Sequence, residues 1–420
     1  MKASELIEKI GRGEMDSTFA HYYKNIESQK ERYIQAIQKF IELFGEEEVM
    51  IFSTPGRSEI CGNHTDHQHG DVMAAAIDLD MIAVCSLADE IKVVSDGYDI
   101  PSISLSDLTI KEEEKGTSAA LIRGVVYKLK EENYAVGGFK GYFTSDVLQG
   151  SGMSSSAAFE VMIGTIESSL YNHGEISKVE IAKIGQYSEN VYFGKPCGLM
   201  DQCACSVGGF IHIDFKDAAK PVVEALNYDF NKSGSSLCII DVHASHADLT
   251  DDYAAVPSEM KQVAQYFREE YLRDVKEEDF YSSINELRKT LSDRCVLRAI
   301  HFYNEQKRVR EAVLALNNQD FEAFKKVIEE SGNSSFKYLQ NIYSPHDAAN
   351  QAVSLALAIS ENYLKQKGVC RVHGGGFAGT IQAFVSNDYV DTYAKQIEGY
   401  FGKGSCHILS IRKEGGIRVF

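Results

Sequence analysis

The stretch Gly150-Ser151-Gly152-Met153-Ser154-Ser155-Ser156-Ala157-Ala158 runs straight into an apolar pattern: Ala157, Ala158, Val161, Met162, Ile166 and Leu170 share one face of a helix over 154–171. Glycines let backbone approach a ligand closely, and a helix N-terminus offers unpaired N–H groups and the positive end of its dipole. The combination is an anion cradle, and the serines add hydroxyl donors and a candidate Mg²⁺ ligand. It is not a Walker A loop, because Gly-Lys-Ser/Thr is missing, and as a dinucleotide fingerprint it has a serine for its third glycine. Small residues capping a helix would look the same in isolation.

Two further segments carry chemistry. Thr54-Pro55-Gly56-Arg57-Ser58-Glu59-Ile60-Cys61-Gly62-Asn63-His64-Thr65-Asp66-His67-Gln68-His69-Gly70 is expected to follow a buried strand at 49–53. His64, Asp66, His67 and His69 invite a metal reading, but no second ligand cluster accompanies them. An imidazole and a carboxylate that chelate vicinal sugar hydroxyls fit better. In Gly194-Lys195-Pro196-Cys197-Gly198-Leu199-Met200-Asp201-Gln202, preceded by Ser188-Glu189-Asn190, Asp201 follows a tight turn that could hold its carboxylate against a substrate hydroxyl.

Around these segments the pattern predicts a helix over 18–45, strands at 77–85 and 237–240, and a mostly helical stretch over 258–330. A glycine-rich loop over 371–385 and two short strands within 408–420 complete the chain. Strands and helices interleave without a regular βαβ beat, which favours an α+β fold. Composition marks no linker. The 420 residues carry 43 Lys+Arg against 61 Asp+Glu, a net charge of −18. That excess of acid argues against a nucleic-acid backbone or an anionic membrane as partner. Nine scattered cysteines without a C-x-x-C pair read as thiols of a reducing cytoplasm.

Taken together, the segments resemble the GHMP small-molecule kinases, and within them the galactokinases. Pro55-Gly56-Arg57 with Gly62-Asn63-His64-Thr65-Asp66 is similar to the family's first motif, and 150–157 to its phosphate loop. Cys197-Gly198-Leu199-Met200-Asp201-Gln202 and Gly374-Gly375-Gly376-Phe377-Ala378-Gly379 resemble two more, and His246 with Tyr253 a further segment. The resemblance implies an α+β fold of two domains, 1–215 and 216–404, with the active site in the cleft between them and the strands of 405–420 returning to the first.

It also implies roles. Gly150, Ser151, Gly152, Met153, Ser154, Ser155 and Ser156 would wrap the ATP phosphates, and Ser156 with Glu189 would hold Mg²⁺. Asp201 would face the anomeric C1 hydroxyl of galactose or a close galactose-type sugar as base or orienting group, with Arg57 beside it. Asn63, His64, Asp66, Gly198 and Tyr253 would bind the sugar. Asn63 stands where galactokinases carry a glutamate. An amide there could donate to a C6 carboxylate, which makes galacturonate the alternative substrate. A sugar and ATP sensor without turnover is a further alternative. Monomer and weak dimer both stay open.

Overall fold

Strand β1 (Met50–Cys61) contains the whole Pro55-Gly56-Arg57 motif, so the segment expected to follow a strand is itself part of one. A computed structural model describes residues 1–95, 97–98, 100–147, 153–244 and 249–420. Gly150, Ser151, Gly152 and His246 therefore lie outside the described residues. β1 pairs with β2 (Asp71–Ala88), which is twice the length expected from its alternating part. The first sheet adds β3 (Lys92–Ser95), β4 (Gly138–Ser145), β5 (Phe210–Asp214) and β6 (Val222–Leu226). The second is built from β7 (Ser235–Asp241), β8 (Gly368–Val372), β9 (Thr380–Ser386) and β10 (Cys406–Leu409). Finally, β11 (Ile417–Arg418) returns to pair with β1. The α+β class expected from the sequence is what the chain adopts.

Two expectations about domain limits change. β6 pairs with β5 in the first sheet, so the break at 215 falls inside a hairpin and the change of sheet comes between Leu226 and Ser235. Of the last strands only β11 rejoins the first sheet; β10 pairs with β7. The helix expected over 18–45 is also divided, into Asp16–Tyr22 and Ile26–Phe44. Tyr23 adopts extended backbone between them, and its hydroxyl turns inward to Asp80. Asn25 then caps the second helix by accepting from the Ser28 N–H.

The helix Ser155–Tyr171 forms as its apolar spacing predicts and packs with the helix Ser118–Glu131 in one core of the first half. The helices Asp293–Asn317 and Phe321–Ser334 share a core with residues of both sheets. β1 is the seam between the halves. Gln382 of β9 donates to Ser58 Oγ at 2.7 Å and to the Glu59 carbonyl at 2.8 Å, and Arg371 of β8 donates to the Ile60 carbonyl.

One buried carboxylate ties the chain ends to this seam. Asp80 accepts from Arg32 at 2.6 Å, Tyr23 at 2.5 Å and Arg412 at 3.1 Å, and also from Ser53. Burial pushes its carboxyl up, but the two guanidinium groups outweigh that and hold it below its ordinary value. Breaking a buried pair strands the remaining charge, so Asp80→Ala should cost about 3–5 kcal/mol in urea unfolding. A loss under about 1 kcal/mol would show that the network does not hold the ends.

Candidate active site

The β1–β2 ladder breaks where the motif needs it to. Pairing passes from Pro55↔Asp80 to Arg57↔Ala76, and β2 instead bonds the C-terminal segment through the Asp78 N–H to the Ser410 carbonyl at 3.1 Å. Pro55 has no N–H to contribute to the ladder. A Cβ on Gly56 would stand 2.9 Å from Val147 Cγ1 and 3.0 Å from the Met153 carbonyl, so only glycine fits unshifted. The Arg57 N–H, freed from the ladder, donates to that Met153 carbonyl at 3.2 Å. An irregularity of this kind re-aims a side chain. Here it stitches the first motif to the end of the phosphate loop.

Arg57 then reaches Asp201 in a two-pronged pair, Nε to Oδ1 at 2.7 Å and Nη2 to Oδ2 at 2.6 Å. Asp201 sits in the first turn of the helix Met200–Val207. Burial pushes its carboxyl up, but the Arg57 charge and hydrogen bonds pull it below the usual aspartate value, so it is ionised. Ser154 donates its hydroxyl to Asp201 Oδ2 as well. Ser154 is the N-cap of the helix Ser155–Tyr171 in the left-handed region, φ 59°, and its side chain accepts from none of the helix amides. A helix N-terminus whose cap side chain turns elsewhere is one where a phosphate could use the first-turn amides.

Ser156 and Glu189 come together as expected, Oγ to Oε1 at 3.2 Å. Gln202, the residue after Asp201, donates to Glu189 at 2.9 Å and to the buried Glu160 at 3.0 Å. Lys195 Nζ lies 3.8 Å from Glu189. One hydroxyl and one carboxylate beside a phosphate loop suit Mg²⁺, which takes few protein ligands and completes its shell with phosphate oxygens and water. Among the described residues no cluster of three His, Cys, Asp or Glu side chains could hold a metal on its own. Sequence reasoning missed the cavity beside this loop altogether. It measures about 1020 Å³, is lined by Tyr98, Leu121, Phe143, Phe159 and Phe193, and opens onto Ser155 and Ser156. Its walls come from six separate segments without a shared motif, so no local signal could have announced it.

On the other side of Asp201 lies the sugar segment. A Cβ on Gly198 would stand 3.1 Å from Asp66 Oδ2, which places that carboxylate against the turn leading to Asp201. The carbonyls of the glycine-rich loop after β8 gather three of the expected side chains. His64 Nε2 meets the Gly375 carbonyl at 3.0 Å, and the Tyr253 hydroxyl donates to the Gly376 carbonyl at 2.8 Å. Burial lowers the His64 imidazole to about 4, so it is neutral, with Nε2 carrying the proton.

Asn63 departs from expectation. It is fully buried, and its amide donates to Glu59 at 2.9 Å and to the Gly374 carbonyl at 2.7 Å. Its Oδ1 accepts from Asn341 at 2.7 Å. The side chain thus joins the sugar turn to the glycine-rich loop and does not present a donor to the cleft. The amide expected to read a C6 carboxylate is already engaged.

Residues 38–87 match the galactokinase galactose-binding signature, and residues 120–209 match the N-terminal domain of GHMP kinases. Among solved structures, the galactokinase of Lactococcus lactis complexed with galactose is similar at 22% identity and TM-score 0.74, over 91% of this chain and 98% of that one. The mevalonate kinase of Methanococcus jannaschii is similar at 17% identity and TM-score 0.61, over 87% and 98%. A D-glycero-D-manno-heptose 1-phosphate kinase from Bacteroides thetaiotaomicron is similar at 16% identity and TM-score 0.55, over 88% and 98%. The galactokinase galactose-binding signature thus falls on β1, β2 and the end of the helix before them, and the match to the GHMP kinase N-terminal domain runs from the helix Ser118–Glu131 past Asp201.

Proposed function

We propose that this protein transfers the γ-phosphoryl group of ATP to the anomeric C1 hydroxyl of galactose, acting as a soluble cytoplasmic enzyme. One observation carries the reading: the Arg57–Asp201 pair, joined by Ser154, stands between an anion-binding helix terminus and the turn that holds Asp66. Phosphoryl transfer asks for positioning and charge stabilisation more than covalent chemistry, and this cluster supplies both. The aromatic cavity takes the adenine ring, the phosphates meet the helix terminus at Ser155 and Ser156, and the sugar rests on His64, Asp66, Gly198 and Tyr253.

Within this arrangement Asp201 accepts the hydrogen bond of the anomeric hydroxyl and aims its oxygen at the phosphorus. Its depressed pKa makes it a weak base, so the proton passes to it as the new O–P bond forms and the hydroxyl becomes acidic. Arg57 keeps the carboxylate ionised and offsets charge on the transferring group. Ser156 and Glu189 would hold Mg²⁺, which neutralises phosphate charge when bound. Asn63 takes no part in sugar contact, so the galacturonate alternative loses its motivating donor, and the intact Arg57–Asp201 pair favours turnover over a sensor.

A coupled ADP-release assay with galactose and galacturonate tests the substrate. Galactose should be clearly preferred, and a preference for the uronate would overturn the reading. Asp201→Ala should lower kcat by about 10²–10⁴-fold. Turnover surviving that change would overturn the mechanism.

Removing the arginine should expose the burial of Asp201. In Arg57→Met the burial cost remains without its offset, so the carboxyl protonates at higher pH. The acid limb of kcat/KM should move upward by about 1–3 pH units. An unmoved limb would mean Asp201 is not the titrating group.

Asn63→Glu should be harmful whatever the substrate. It sets a carboxylate against Glu59, whose own carboxyl burial already raises to about 7, and removes the donor to Gly374. We expect a loss of about 2–4 kcal/mol in thermal or urea unfolding. A variant as stable as the parent would contradict the inward placement of Asn63.

A further inference from the structure

The turn that carries His64 and Asp66 has an unusual backbone. Gly62 has φ 96° and His64 φ 61°, in a region few residues with a side chain adopt. Something must hold the peptide between Asn63 and His64 in the orientation that this φ requires. The structure provides two bonds from the second half of the chain. The Asn63 carbonyl accepts from His301 Nε2 at 3.0 Å, and the Gly62 N–H donates to Glu305 Oε1 at 3.1 Å.

His301 and Glu305 are four residues apart on the helix Asp293–Asn317, hence on one face, and both are fully buried. Each is held in turn. His301 Nδ1 meets Ser334 Oγ at 2.9 Å, and Glu305 accepts from Arg308 at 2.7 Å and from Ser331. A carbonyl can only accept, so His301 Nε2 carries the proton and Nδ1 accepts from the Ser334 hydroxyl. Burial favours the neutral imidazole that this tautomer needs.

We propose that His301 is a positioning residue for sugar binding: its Nε2–H bond to the Asn63 carbonyl fixes the peptide plane that sets the left-handed turn at His64, and so aims His64 and Asp66 at the sugar. The inference rests on the reading of this turn as the galactose site. It makes the second half of the chain a determinant of sugar affinity through a residue that does not touch the sugar.

Two isosteres separate the role from mere packing. In His301→Gln the amide nitrogen can reach the place of Nε2 and keep the bond to Asn63. In His301→Asn the amide reaches only the place of Nδ1, keeping Ser334 and losing Asn63. With the full-length protein, His301→Asn should raise the galactose KM, and the galactose Kd from calorimetry, by roughly tenfold or more. Its ATP KM, ADP Kd and kcat should stay within about threefold of the parent, and His301→Gln should recover most of the galactose affinity. Equal effects of the two substitutions, or a His301→Asn protein that loses ADP along with galactose, would overturn the proposal. A parent protein that neither binds nor phosphorylates galactose would fail the functional reading itself, and this inference with it.

Discussion

The constraint on which the site depends is the pair formed by Arg57 and Asp201 across 144 residues of sequence. Two charges this sheltered are costly unless their geometry is good and the remaining donors and acceptors are filled. Both prongs of the guanidinium bond the carboxylate, and Ser154 fills a further acceptor site on it. Satisfying those bonds requires three elements at once: the interrupted stretch of β1, the start of the helix Ser155–Tyr171 and the first turn of the helix Met200–Val207. The pair therefore does not simply sit in a cleft. It sets how the start of the helix Ser155–Tyr171 and the irregular stretch of β1 face each other.

The same logic explains why β1 is irregular at its centre. A regular strand would give the Arg57 N–H to β2 and close the sheet. Proline without an N–H and glycine without a Cβ break the ladder, and the released bond goes to Met153. The cost of the break is met by bonds from the C-terminal segment to β2 and from β8 and β9 to β1. The second half of the chain thus supports the first from behind while its glycine-rich loop reaches over the sugar turn.

Much of this was legible locally. The helix after the phosphate loop announced itself through its apolar spacing, and the strand around 237–240 through its apolar run. β2 was only half visible, because the alternation covers 77–85 alone, while Ala74 and Ala75 are held in the strand by β1 and β5. The division of the first long helix at Tyr23 was hidden too, since its reason is the distant Asp80. At the site, the motifs located Arg57, Asp201, Ser156, Glu189, His64 and Asp66, whereas the aromatic cavity drew on segments that share no pattern.

What the sequence by itself determined is the chemical vocabulary: a phosphate loop opening a helix, a carboxylate after a tight turn, and a polar segment suited to hydroxyls. Those depend on residue type and short spacing, which local physics reads well. What only the tertiary structure decided is the direction each polar side chain takes. Asn63 lies in the sugar motif by sequence, yet its partners Gly374 and Asn341 stand 311 and 278 residues away, and they turn it inward. A polar group goes where its hydrogen bonds can be completed. For a residue at the seam of two halves, those bonds come from chain that no local pattern can see.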